Sequence, residues 1–386
     1  MKTVIKNAKI LTMQDEAIDN GWLLTDGEKI SSFGEMNKAV PKADTEIDAK
    51  GGWLLPGFVE AHAHIGMFGD SLGFESDDGN EMTDPVTPHL RAIDSINPLD
   101  RCFSDAISAG VTTVVTGMGS ANPIGGQFAA MKTNGSCVDD MVIKAPSGVK
   151  FALGENPKTV YHNKNQTPTT RMATAATIRD ALARAKKYME KLEESRLNDE
   201  ADEPEYDIRM EALIPLLTCE IPAQFHAHRA DDIFTAMRIA QEYGLKYSII
   251  HGTEGYLISE KLKEKNVSVI SGPIISDRSK PELKNHTSSS AGILNANGIL
   301  CAITTDHPET PIQYLPLCAA LCAREGMPDI EALKAITINA AVISGISDRV
   351  GSIATGKDAD VVVHNGNPLD IRTKPVVVLI NGERCL

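Results

Sequence analysis

Over about 290 residues, short apolar runs that read as strands alternate with amphipathic stretches that read as helices. No other feature restricts the fold as strongly, because strands separated by helical crossovers are driven into parallel pairing. The clear strand candidates are GFVEAH, VTTVVT, VKFALG, AQFHAH, KYSIIH, VSVISG and ILCAITTD, and a less regular eighth lies near DDMVIKAP. Stretches such as ADDIFTAMRIAQEYG and IEALKAITINAAVISGI supply the helices. Eight such strands close an α/β barrel, and the polar residues with chemical potential stand at their C-terminal ends, where barrel enzymes keep their sites. A doubly wound open sheet is the competing arrangement, but no Gly-rich phosphate loop follows the first strand.

Residues 1–56 and 350–386 are written differently, as strand-like runs broken by turns, for example VIKNAKIL and PVVVLINGERCL. They are expected to pair into one small β domain beside a barrel spanning 57–349. A chain of 386 residues with 42% hydrophobic and 23% charged residues has apolar mass for both. A net charge of -14 argues against a nucleic-acid surface. No run approaches the ~18 apolar residues of a membrane span, and MKTVIKNAKILTM alternates like a strand rather than a signal peptide. The seven scattered cysteines suit reduced thiols, hence a cytoplasmic location, and Cys318 and Cys322 read as one buried helix face. Residues 66–98 form a long polar segment expected to overhang the site as a lid.

The segment LLPGFVEAHAH places His62 and His64 at positions i and i+2 of a strand, where both imidazoles face one point. Such a pair alone is a weak signal. Four more candidates close or follow other strands: Glu155 after VKFALG, His226 in AQFH, His251 in KYSIIH and Asp306 in AITTD. A lone histidine there is commonly satisfied by backbone, and a lone aspartate is often a helix cap. Together the six offer four imidazoles and two carboxylates, a set suited to zinc or a similar divalent ion.

LLPGFVEAHAH, PAQFHAH, IIHGTEG, ITTDHPETP and the tail RVGSIATGKDADVVV, in that order, resemble the amidohydrolase superfamily, in particular its imidazolonepropionase-like and prolidase-like branch. The resemblance covers nearly the whole chain. It implies a metal-dependent (β/α)8 TIM barrel with a small β-sandwich built from both termini. It makes His62, His64 and Asp306 ligands of an inner ion and His226 and His251 ligands of a second, giving one or two zinc ions per chain. Glu155 is taken as the bridge between them, with a carboxylated Lys158 or Lys150 as the alternative. His228, two residues after His226, faces substrate, and His307 stands beside Asp306 to orient the ligands or touch substrate.

The chemistry implied is hydrolysis of an amide or cyclic amide C–N bond of a small molecule by a metal-activated water. Asp306 would move the proton, and His251 or His228 would stabilise the oxyanion. Lys158, Tyr161 and Arg171, in the segment after Glu155, are candidates for binding a substrate carboxylate. Among the remaining histidines, His89, His162, His286 and His364 read as structural or exposed, with His162 the first choice for substrate contact. Deamination of a heterocyclic base is the alternative reaction, but relatives that deaminate carry a glutamate three residues after the fifth-strand histidine, where this chain has Arg229. A metal-free assembly module is a further alternative. No nucleic-acid or membrane partner is expected, and a homo-oligomer is compatible with the resemblance.

Overall fold

The computed structural model describes residues 1–14, 17–69 and 73–386. Five N-terminal strands come first: β1 (Lys2–Ile10), β2 (Ile18–Asp26), β3 (Lys29–Glu35), β4 (Thr45–Asp48) and β5 (Trp53–Pro56). The barrel strands follow: β6 (Phe58–Ala63), β7 (Val111–Thr116), β8 (Ile124–Lys132), β9 (Val142–Ala152), β10 (Ala223–Ala227), β11 (Tyr247–His251), β12 (Ser268–Ser271) and β13 (Cys301–Ile303). The chain ends with β14 (Val361–His364), β15 (Pro375–Ile380) and β16 (Glu383–Arg384).

The two ends of the chain form one hydrogen-bonded sheet in the order β16-β15-β14-β5-β1-β2-β3, with β4 on β1. The junction is the antiparallel pair β14–β5, in which Val362 faces Leu55. Both contributors bury apolar residues in a shared core, Ile5, Leu23 and Leu54 from one end and Val361, Val363 and Leu379 from the other.

The second sheet runs from β6 to β13 in sequence order as a nearly closed barrel. Its strands are buried on both faces, which is why VTTVVT and YSIIH read as continuous apolar runs with little alternation. The structure departs from strict strand-helix alternation at one place. Strands β7, β8 and β9 pair antiparallel, with Thr113 opposite Lys132 and Gln127 opposite Val149. Only residues 117–123 separate β7 from β8, too few for the crossover that a parallel return requires. The segment near DDMVIKAP is the first half of β9, and the additional strand comes from IGGQFAAMK. That stretch has two glycines and one β-branched residue, so it carries little strand signal.

The seam between β13 and β6 is closed largely by side chains. Glu60 Oε2 accepts from the Thr305 backbone N–H (2.8 Å) and hydroxyl (2.7 Å), and Glu60 Oε1 accepts from the His62 N–H (3.1 Å). Thr304 Oγ1 donates to the His62 carbonyl at 2.6 Å, and the His64 N–H donates to the His307 carbonyl at 2.9 Å. The seam thereby sets the first-strand histidines against the end of the last strand, where Asp306 stands.

Candidate metal centre

Side-chain alternation along β6 brings His62 and His64 to one end of the barrel, both buried. Their Nε2 atoms lie 3.4 Å and 3.3 Å from Asp306 Oδ1. His64 is held by its other nitrogen, Nδ1, 2.6 Å from the Gly117 carbonyl. A carbonyl only accepts, so Nδ1 carries the proton and the Nε2 lone pair is free. His251 is held in the same way, with Nδ1 donating to the Gly272 carbonyl at 2.7 Å. The ring of His226 lies 4.5 Å from that of His251, centroid to centroid.

Two groups emerge in which the ligand-capable atoms all lie within 4.8 Å of one another: His62, His251 and Asp306, and His226, His228 and His251. His251 belongs to both. His62 Nδ1, both ring nitrogens of His226 and Asp306 Oδ1 are buried without a hydrogen-bond partner. Orphaned buried polar atoms are uncommon, and four of them fall within the residues of these two groups. Burial drives the imidazoles of His62, His226 and His228 well below their ordinary range and that of His251 to about 4. They are therefore neutral at pH 7, the state in which imidazole binds a metal. Burial alone would push the Asp306 carboxyl up, but His251, His64 and Lys150 outweigh it and hold the group below the usual carboxylate range.

Two of these residues sit in strained backbone. His251 has φ 71° and Asp306 has φ 53°. A left-handed residue other than glycine costs roughly 1 kcal/mol or more, and such strain concentrates where a side chain must be aimed for function.

His64, His226, His228, His251 and Asp306 line a cavity of about 810 Å³ at the C-terminal ends of the parallel strands. Phe68, Phe74, Asp77, Asn80 and Met82 line it from the segment after β6. Of the expected lid over 66–98, residues 70–72 lie outside the described part of the chain.

Residues 53–385 match the model of the amidohydrolase family. The chain belongs to that family. An amidohydrolase structure from Thermotoga maritima MSB8 superposes with a TM-score of 0.96 at 43% identity, covering 100% of this chain and 99% of that one. Amidohydrolase tasK of Hapsidospora irregularis is 29% identical over 420 residues, which cover 98% of this chain and 43% of the relative. A 5'-deoxyadenosine deaminase of Methanococcoides burtonii is 46% identical over 66 residues, 17% of this chain and 15% of the relative. The chain thus spans less than half the length of these curated relatives. Membership supports hydrolytic chemistry at C–N bonds, and the clustered histidines and aspartate fit a divalent ion.

In this amidohydrolase, five of the six candidate ligands come together and Glu155 stands apart. It opens the helix Glu155–His162 and lines the cavity, but it joins neither ligand group. The reason is that Ala152 ends β9 and Leu153 and Gly154 intervene, so Glu155 begins the next element. The side chain that β9 sends inward beside the ligands is Lys150, buried, with Nζ 3.1 Å from His62 Nε2. Its signal in the sequence is a lysine between Val149 and Phe151 in an otherwise apolar run.

His228 lines the cavity, whereas Lys158, Tyr161, Arg171 and His307 are not among its described lining residues. Tyr161 is buried and donates to Asn122 Oδ1 at 2.7 Å, and Arg171 Nε is committed to Asp232 at 2.8 Å. His307 instead receives the Ile312 N–H at Nδ1. Sequence reasoning passed over Glu60 and read His286 as structural or exposed, whereas His286 lines the cavity, as does Lys280. It also placed His162 nearer substrate than His286, but His162 is exposed and outside the described lining.

Burial lowers the Lys150 ammonium to about 7. In metal-free protein the unfolded chain therefore binds one more proton than the folded chain between pH ~7 and ~10, so stability rises with pH across that window. The wild type is expected to gain roughly 2–3 kcal/mol relative to Lys150→Met between pH ~7 and ~9.5 in urea unfolding. Parallel pH profiles for the two proteins would overturn this.

Proposed function

We propose that this amidohydrolase cleaves an amide or cyclic amide C–N bond of a small molecule such as a dipeptide, an N-acyl amino acid or an imidazolone-like ring. Zinc is the metal that the imidazole-rich ligand set favours. The reading rests on one observation, the meeting of two ligand groups at His251 beside Lys150. His62, His64 and Asp306 would hold one ion, and His226 and His251 a second. Lys150 takes the bridging position first given to Glu155, because an amine lowered to about 7 is substantially uncharged and open to carboxylation at neutral pH.

A bound divalent ion supplies Lewis acidity and lowers the pKa of water. Asp306 accepts the proton of the attacking water and passes it to the departing nitrogen. His251, with its N–H committed to Gly272, offers a lone pair and has no N–H left for an oxyanion. Phe68, Phe74 and Met82, from the segment after β6, give the cavity apolar lining beside these groups. Deamination is disfavoured by Arg229, which turns outward into a forked pair with Asp231 at 2.9 Å and 2.8 Å. The net charge of -14 and the absence of any long apolar helix among the described residues fit a small-molecule substrate with no nucleic-acid or membrane partner. Seven free cysteines fit a cytoplasmic location.

The test is metal quantification combined with a screen of dipeptides, N-acyl amino acids and cyclic amides, with ammonia release recorded separately. Two ions per chain and hydrolysis of an amide bond without ammonia are expected. One ion with ammonia released from a heterocycle would overturn the reading in favour of a deaminase. Carefully prepared protein that retains no ion under any loading condition would favour the assembly module.

A further inference from the structure

The second ligand group holds one imidazole more than the two-ion arrangement uses. His228 and His251 stack with their rings 13° from parallel and centroids 4.5 Å apart. His226 stands edge-on to both, at 4.8 Å and 4.5 Å. His228 Nδ1 lies 2.8 Å from Thr253 Oγ1, just as His251 Nδ1 lies 2.7 Å from the Gly272 carbonyl. Both rings are pinned through the same atom and turn Nε2 the opposite way. A metal-ligating histidine is held in this manner, its second nitrogen bonded to a fixed neighbour.

A carboxylate stands behind this group. Glu282 is buried, and its Oε1 has no hydrogen-bond partner and lies 3.7 Å from His228 Nε2. Its other oxygen accepts from the Glu155 N–H at 3.1 Å, which fixes the side chain. Three neutral rings bring no charge of their own to a dication, and Glu282 places a carboxylate near them in addition to a carboxylated Lys150, with Lys280 Nζ 3.7 Å from the same Oε1.

We propose that His228 is a direct ligand, so that one divalent ion is held by His226, His228 and His251 with the Glu282 carboxylate alongside. This rests on the metal-hydrolase reading above and replaces the substrate-facing role assigned to His228 from sequence. Three imidazoles form a nitrogen-rich set that suits zinc and leaves a position open. The inner ion keeps His62, His64 and Asp306, so the two ions differ in ligand charge and in what removes them.

The experiment loads the full chain with Zn2+ and measures the dissociation constant of each ion by chelator competition, with Co2+ absorption spectra as a second readout. His228→Gln is expected to weaken one ion by more than about 100-fold and to shift the Co2+ bands, because a ligand is lost. Thr253→Val removes only the anchor and is expected to weaken the same ion by about tenfold with the bands largely retained. The second variant keeps every ligand and decides the question if His228→Gln misfolds. His62→Gln is expected to weaken the other ion. Folded variants that bind both ions with wild-type constants overturn the assignment of His228 and leave the two-ion reading standing. A single wild-type ion, lost in His62→Gln and indifferent to His228 and Thr253, overturns both. A single ion lost in His228→Gln but kept in His62→Gln overturns only the two-ion reading.

Discussion

Asp306→Asn is expected to lower kcat by about a hundred- to ten-thousand-fold while leaving the melting temperature nearly unchanged. The substitution preserves shape and tolerates the left-handed backbone at φ 53°, since asparagine enters that region more readily than most residues. The Thr304 Oγ1 that receives the residue-306 N–H at 3.0 Å is also untouched. What disappears is the negative charge between His62 and His64 and the oxygen able to take a proton. Metal content is to be measured alongside, so that loss of a ligand and loss of a proton acceptor are separated. A fall smaller than about tenfold in a fully metallated variant would remove Asp306 from proton transfer.

The strand-end histidines were legible because a strand has a period of two and a barrel collects its strand ends on one face. His62, His64, His226, His251 and Asp306 needed no more than that. Glu155 stands apart for a local reason: β9 stops at Ala152, so Glu155, which follows VKFALG, begins the next helix. A shift of a few residues at a strand end decides whether a side chain enters the barrel, and such boundaries are the least readable part of a sequence. Lys150 entered only as the alternative bridge, because a lysine between apolar neighbours is usually assigned to solvent. The antiparallel β8 was missed since its glycines and alanines carry no strand pattern, and its direction is set by the short link 117–123, not by composition. Tyr161 and Arg171 show the complementary error, in which polar residues near the site in sequence are consumed by internal partners, Asn122 and Asp232.

Lys132→Ala is expected to cost roughly 3–5 kcal/mol of stability without touching the candidate metal site. Lys132 closes β8 and is buried, with Nζ 2.8 Å from Asp358 Oδ2 and 2.5 Å from Asp360 Oδ2, which precede β14. Asp358 has further cations in Lys29 at 2.6 Å and Arg349 at 2.8 Å. Asp360 has the Asn381 N–H besides Lys132, so removing the ammonium leaves a buried carboxylate without a countercharge. Burial raises the Asp360 carboxyl even in the wild type, whereas for Asp358 the hydrogen bonds from Lys132 and Lys29 overcome burial and hold it at about 2. For Asp358 the sign is that of a lowered carboxyl: its contribution is present above pH ~4 and is lost as pH falls toward ~2. For Asp360 in the variant the sign reverses, because a carboxyl raised further binds a proton in the folded state before the unfolded one does. The deficit of Lys132→Ala should therefore shrink between pH ~7 and ~5, and a Lys132→Met, Asp360→Leu double replacement should recover much of it. Urea unfolding at the two pH values measures both effects. A cost below about 1 kcal/mol, typical of surface pairs, would mean that this network does not join the terminal sheet to the barrel.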